Sequence, residues 1–190
     1  STIETLVPIL VASSKGSEMV ASVVQVFVDA LHDIPVHRRL LVFKVLTEAL
    51  DPANNLWLVL MLIVKGFVIH GRSRLPEEGD TKKAMPKEFS FALQLSCEFD
   101  AEVQIGAAQT MLNIITDTPS NIGNNYQKKW TSSNPNTRKL GLPEFASKQL
   151  RHLIYTTAGI LSQLFVSESF ISNFCINTES EINIFICRAL

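Results

Sequence analysis

The chain has 190 residues, 46% of them hydrophobic and 18% charged, which is enough apolar material for a substantial core and too much for a disordered tail. Its 17 basic and 18 acidic residues leave a formal net charge of -1, so no global attraction to nucleic acid or membrane exists and such contacts must be local. Three cysteines without C-x-x-C spacing (Cys97, Cys175 and Cys187) and the lack of an N-x-S/T sequon favour a reducing intracellular compartment.

In chain order, Met19, Val20, Val23, Val24, Phe27 and Leu31 recur at three- and four-residue spacing, which predicts a helix over 17–33. Pro35 has no backbone N–H and disfavours helical geometry at Ile34, so the helix stops there. A second helix over 36–50 carries Val36, Leu40, Phe43, Leu46 and Leu50 on its inner face. At Asp51-Pro52 the acidic side chain is suited to accept from the next turn's free N–H groups, and a third helix runs over 54–70. Its apolar run, 56–64, ends at Lys65, well short of the roughly 20 residues of a membrane-spanning helix, and reads as a buried core helix.

Residues 71–86 are charged and hold two prolines and two glycines, the marks of a loop. A fourth helix is expected over 87–99, and a fifth over 101–117, with Asp100 as its cap and Val103, Ala107, Met111 and Ile114 inside. The stretch 119–143 lacks acidic residues, is dense in Asn, Ser, Gly and Pro, and reads as the longest loop. A sixth helix over 144–166 places Leu150, Leu153, Thr157, Leu161 and Leu164 on one face, and Ser167 or Ser169 is suited to cap a short piece at 170–174.

No strand pattern appears. The fold class expected is all-α, a HEAT/armadillo-like α-solenoid of stacked antiparallel helical pairs over 17–50, 54–99 and 101–166, with the whole of 1–190 one solenoid segment. The chain opens without Met and stops within an apolar pattern at "INIFICRAL", so both ends read as cut from a longer protein.

Chemistry-bearing residues are sparse. His32 and His37 lie on either side of a proline corner and lack a third ligand, so they read as a helix start and not a metal site. Arg38 and Arg39 are placed to pair with Asp29 or Asp33 across that corner, or to reach a partner. Cys97, Cys175 and Cys187 read as small buried apolar residues, since no base or oxyanion donor accompanies any of them. No phosphate-binding glycine fingerprint occurs. Neither a catalytic residue nor a metal or cofactor is expected. Lys128, Lys129 and Trp130, beside Tyr126 and followed by Arg138 and Lys139, form a cationic stretch with aromatic interleaving, a composition that suits RNA contact.

The strings "FVDALHDIPVHRRL" with "LWLVLMLI", and "SKQLRHLIYTTAGILSQLF", carry a close resemblance to one family over about 20–175. It is that of the very large HEAT-repeat, U3 small nucleolar RNA-associated proteins of the small-subunit processome. The resemblance implies a segment of a long solenoid in the nucleus and nucleolus, acting as a scaffold in maturation of small-subunit ribosomal RNA and linked to its transcription. It implies processome proteins and U3 or pre-ribosomal RNA as partners, with no membrane and no small-molecule substrate, and supplies no catalytic residues. Periodicity alone also permits a helical-repeat adaptor in transport or trafficking.

Overall fold

A computed structural model describes residues 17–69, 87–118, 134–142, 147–168 and 170–172. Among them every element is helical: α1 (Ser17–Asp29), continued by a 3-10 turn (Ala30–His32), α2 (Val36–Ala49), α3 (Pro52–Ile69), α4 (Lys87–Cys97), α5 (Ala101–Asp117), α6 (Pro135–Lys139) and α7 (Ser147–Phe165). The loop expected over 71–86 lies outside the described residues.

α3 is the axis of the fold. Beyond its first turn it is almost wholly apolar, with Lys65 its one charged residue, and twelve of its residues are buried, including Leu56, Leu58, Leu60, Met61 and Leu62. An α-helix without a polar face must be covered on every side, and α1, α2, α4, α5 and α7 all pack against it. α1 and α5 flank α3 in one layer, while α2, α4 and α7 follow one another in the second. Of the expected helical pairs, α3 with α4 and α5 with α7 pack against each other and bridge the two layers of a HEAT-type stack, whereas the direct packing expected between the first two helices is not found. α1 and α2 are joined chiefly through α3 and not through each other.

Close approach of α1 to α3 depends on Gly66, where an added Cβ would lie 3.1 Å from a methyl group of Val28. Across the second layer, Phe43 of α2 meets Phe91 of α4 edge-on at 5.4 Å between ring centroids. Phe67 of α3 stacks at a tilt on Phe89 of α4, 5.3 Å away, and also meets the His152 ring of α7. On α7 the inner face is Leu150, Leu153, Thr157, Leu161 and Leu164, all buried as the spacing predicts. The Thr157 hydroxyl finds the sulfur of Met61 at 3.7 Å.

Several local expectations shift. α1 gives way to a 3-10 turn at Ala30, before the proline corner, and Met19 is exposed instead of inward. Val36 is 76% exposed, because it begins α2 outside the contact with α3, whereas Phe43, Leu46 and Leu50 are buried. Cys97 is only half-buried, at the end of α4; Cys175 and Cys187 lie outside the described residues. Asp51 adopts a left-handed conformation (φ 65°), a geometry that Asp tolerates better than most residues, and its carboxylate accepts from the Asn54 side chain at 2.6 Å instead of from a backbone N–H. Asp100 precedes α5 in extended geometry without a side-chain capping bond. The Ser167 hydroxyl does cap the last turn, accepting from the Phe170 N–H at 3.2 Å.

The largest departure falls within 119–143. Pro135–Lys139 is helical, and the turn that follows it is docked. Asn134 is the N-cap of α6, its side chain accepting from the Asn136 N–H at 2.9 Å, and Pro135 takes the first helical position. Gly141 ends the helix with φ 65°, the left-handed conformation that glycine adopts without steric cost. Leu140 and Leu142 on either side of it are buried in the common core. Composition hid this segment because two leucines suffice to anchor five helical residues.

Three outcomes follow from this packing. Phe43→Ala destabilises the fold by about 3–5 kcal/mol in chemical denaturation, while Val36→Ala stays within about 0.5 kcal/mol. Leu140→Ala costs about 2–5 kcal/mol, a loss that an unanchored loop would not show. The third concerns acid. Burial, and secondarily Lys148, lower the His152 imidazole below its ordinary 6.5. The folded state therefore binds fewer protons than the unfolded one, and stability falls as pH drops from above 6.5 towards the folded-state value, levelling off below it. Urea midpoints measured at pH 7.5 and 5.5 separate more widely for the wild type than for His152→Gln.

Candidate functional site

The proline corner turns out to be a structural joint. The Arg39 Nε–H donates to the Ile34 carbonyl at 2.8 Å and a terminal guanidinium N–H donates to the His32 carbonyl at 3.4 Å. Arg39 thus ties the start of α2 to carbonyls left open by the 3-10 turn, and does not pair with Asp29 or Asp33. Asp29 instead accepts from Gln25 at 2.8 Å. Arg38, His32 and His37 are exposed on the same edge. No group of three or more metal-ligating side chains gathers among the described residues.

A second joint lies on the opposite layer contact. Lys44 of α2 pairs with Glu98 at 2.8 Å, with both side chains about a third exposed, and Glu98 raises the Lys44 ammonium above its ordinary value by hydrogen bonding and charge. Such an exposed pair positions the end of α4 more than it stabilises the fold.

Of the five residues of the cationic stretch, Lys128, Lys129 and Trp130 lie outside the described residues. Arg138 and Lys139 are placed by α6. They stand at a cleft of about 640 Å³ lined by Ala21, Ser22 and Gln25 of α1, Leu62 and Lys65 of α3, and Pro135, Arg138 and Lys139 of α6. Lys65 joins them there: a Cβ built on Gly141, just past α6, would lie 3.8 Å from the Lys65 Nζ. Lys65 and Lys139 are half-buried, and Arg138 is exposed.

Sequence reading found Arg138 and Lys139 but missed Lys65. That lysine is separated from them by about seventy positions, and its setting in a leucine-rich run marks only the end of an apolar segment. Arg38, on the α2 edge, is not among the lining residues of the cleft. Three cations stand on two walls of this cleft, with a hydroxyl, an amide and an apolar floor between them.

Comparison with known proteins matches residues 15–189 to the family described as HEATR1-like, HEAT repeats. HEAT repeat-containing protein 1 of Homo sapiens is 26% identical over 184 residues, covering 90% of this chain and 8% of the relative. The protein of the same name in Danio rerio is 24% identical, covering 90% of this chain and 9% of its own, and the Drosophila melanogaster homolog is 29% identical over 84% of this chain and 8% of its own. The chain thus spans less than a tenth of these relatives' length. No solved structure matches. The helical pairs, the apolar axis shared between layers and a family match over nearly the whole chain agree: this chain belongs to the HEATR1-like HEAT-repeat family.

Proposed function

We propose that this chain is a scaffold segment of a nucleolar ribosome-biogenesis factor, acting in small-subunit ribosomal RNA processing, linked to ribosomal RNA transcription, and working through protein and RNA contacts without a catalytic centre. The observation that carries the reading is membership of the HEATR1-like family across 15–189. The architecture suits it. A two-layer helical stack buries its apolar axis and leaves long edges, and those edges carry large exposed apolar side chains (Leu41 on α2, Tyr155 and Phe165 on α7) beside cations such as Arg38. Apolar anchors within a polar rim are the composition of protein-docking surfaces. Processome proteins are the proposed partners of those edges, and U3 or pre-ribosomal RNA is the proposed partner of the cations.

Affinity purification of the tagged full-length protein from cells tests the reading. Recovery of U3 RNA together with processome proteins, and nucleolar localisation of the tagged protein, is the expected result. Recovery of vesicle coats or transport receptors without U3 RNA would replace it with a trafficking adaptor.

A further inference from the structure

We propose that the outer face of the second layer, across α2, α4 and α7, docks an acidic segment of a partner protein, with Arg38, Lys148 and Arg151 meeting its carboxylates and Leu41 and Tyr155 its apolar side chains. The choice of a protein as occupant rests on the ribosome-biogenesis reading; the chemistry of that protein is read from the face itself.

Positive charge and exposed apolar surface coincide here. α2 and α7 together hold five basic residues (Arg38, Arg39, Lys44, Lys148 and Arg151) against one acidic residue, Glu48, in a chain whose net charge is -1. Two of the five are engaged, Arg39 by backbone carbonyls and Lys44 by Glu98. Arg38, Lys148 and Arg151 are exposed and form no ion pair among the described residues. They lie on the sides of their helices turned away from the buried residues, Phe43 and Leu46 on α2, Leu153, Thr157 and Leu164 on α7. The same sides carry Leu41, 64% exposed, and Tyr155, 68% exposed. Lys148, Arg151 and Tyr155 follow one another at three- and four-residue spacing and so form one stripe along α7. Between the two flanks α4 turns Gln94 outward, with half-buried Ser90 and Cys97 a turn to either side, so the middle of the face is neutral and its side chains are short. Packed helices stand about 8–10 Å apart, which separates the α2 and α7 stripes by about 16–20 Å. About six residues of extended chain cover that span.

The occupant has to satisfy both features at once. A nucleic-acid strand carries charge at every step and offers no aliphatic partner to Leu41. A protein segment with carboxylates on either side of aliphatic or aromatic anchors offers both: opposite charge steers it and sets its register, and burial of Leu41 and Tyr155 supplies the attraction. RNA is thereby left to cations that lack such neighbours.

The test titrates the 190-residue chain into labelled probes and follows fluorescence anisotropy. The probes are a short Glu-rich peptide carrying Leu and Phe anchors, the same peptide with every Glu replaced by Gln, polyglutamate, and single-stranded oligouridylate of equal charge. The Glu-rich anchored peptide is expected to bind with a Kd below about 1 mM, and the Gln peptide and polyglutamate about tenfold more weakly. Arg38→Glu, Arg151→Glu, Leu41→Ser and Tyr155→Ser each weaken the anchored peptide by about tenfold, whereas Lys139→Glu, on α6 and outside the face, leaves it unchanged. All four positions on the face are exposed, so the variants keep the fold, and thermal unfolding by circular dichroism checks this. No saturable binding of the anchored peptide would overturn the proposal. So would equal weakening by Lys139→Glu and Arg151→Glu, or polyglutamate binding as tightly as the anchored peptide, since either reduces the face to diffuse charge. Displacement of the peptide by oligouridylate, lost in the same variants, would make the occupant a nucleic acid. The two readings fail separately: peptide binding that needs these residues, with no processome partners in cells, keeps the face and removes the biogenesis role, and processome partners with indifferent variants do the reverse.

Discussion

An eighteen-residue helix with a single charge and an apolar middle needs cover on every side of that middle. Pro52–Ile69 places leucine, valine, methionine, isoleucine, tryptophan and phenylalanine around its whole circumference, and the remainder of the fold can be understood as the means of covering it. Helices preceding and following it in sequence contribute to the cover, two from the N-terminal side and three from the C-terminal side. At one point the approach is close enough that only a glycine fits without displacement, where Gly66 meets Val28. This helix has the length and hydropathy of a membrane span, but its buried contacts with five other helices account for its composition as a core element.

The polar groups follow from that arrangement. Where the chain must turn, side chains take over hydrogen bonds that helix termini leave open: Arg39 serves the carbonyls at the proline corner, Asn55 the Leu50 carbonyl at the end of α2, and Asn134 the first turn of α6. Inside, Thr47 donates to the Phe43 carbonyl at 2.7 Å and the Gln104 amide donates to the Phe99 carbonyl at 2.6 Å, which ties these two buried side chains to the nearby backbone, while the Ser96 hydroxyl and the Gln104 Oε1 are buried without a partner. Charge is thereby pushed to the edges. The cations of the α6 cleft are an edge feature held in place by core residues, since Leu140 and Leu142 fix the orientation of Arg138 and Lys139.

A helical-repeat stack of this type asks little of any single residue. HEAT-type stacks gain their stability from contacts between neighbouring helices, and their function from the surfaces those contacts leave outside. It is consistent that Arg39 of the corner serves geometry, and that identity with the relatives, 24–29%, is compatible with one helical-repeat family.

Helix type and order were determined by the sequence itself, because three- and four-residue apolar spacing and proline or Asp-Pro breaks are local properties that survive without knowledge of neighbours. The inner face of α7 and the buried character of 56–64 were legible for that reason, and the quoted strings carried the family. Tertiary structure decided what depends on distance through space. Val36 fits the apolar spacing of its helix but lies beyond the reach of α3; Arg39 chose backbone carbonyls over carboxylates; and a segment poor in apolar residues became the docked helix α6, because two leucines found a gap in a core built by others. The gathering of Lys65 with Arg138 and Lys139 at one cleft belongs to the same class: no local pattern links residues some seventy positions apart, and only tertiary packing makes them neighbours.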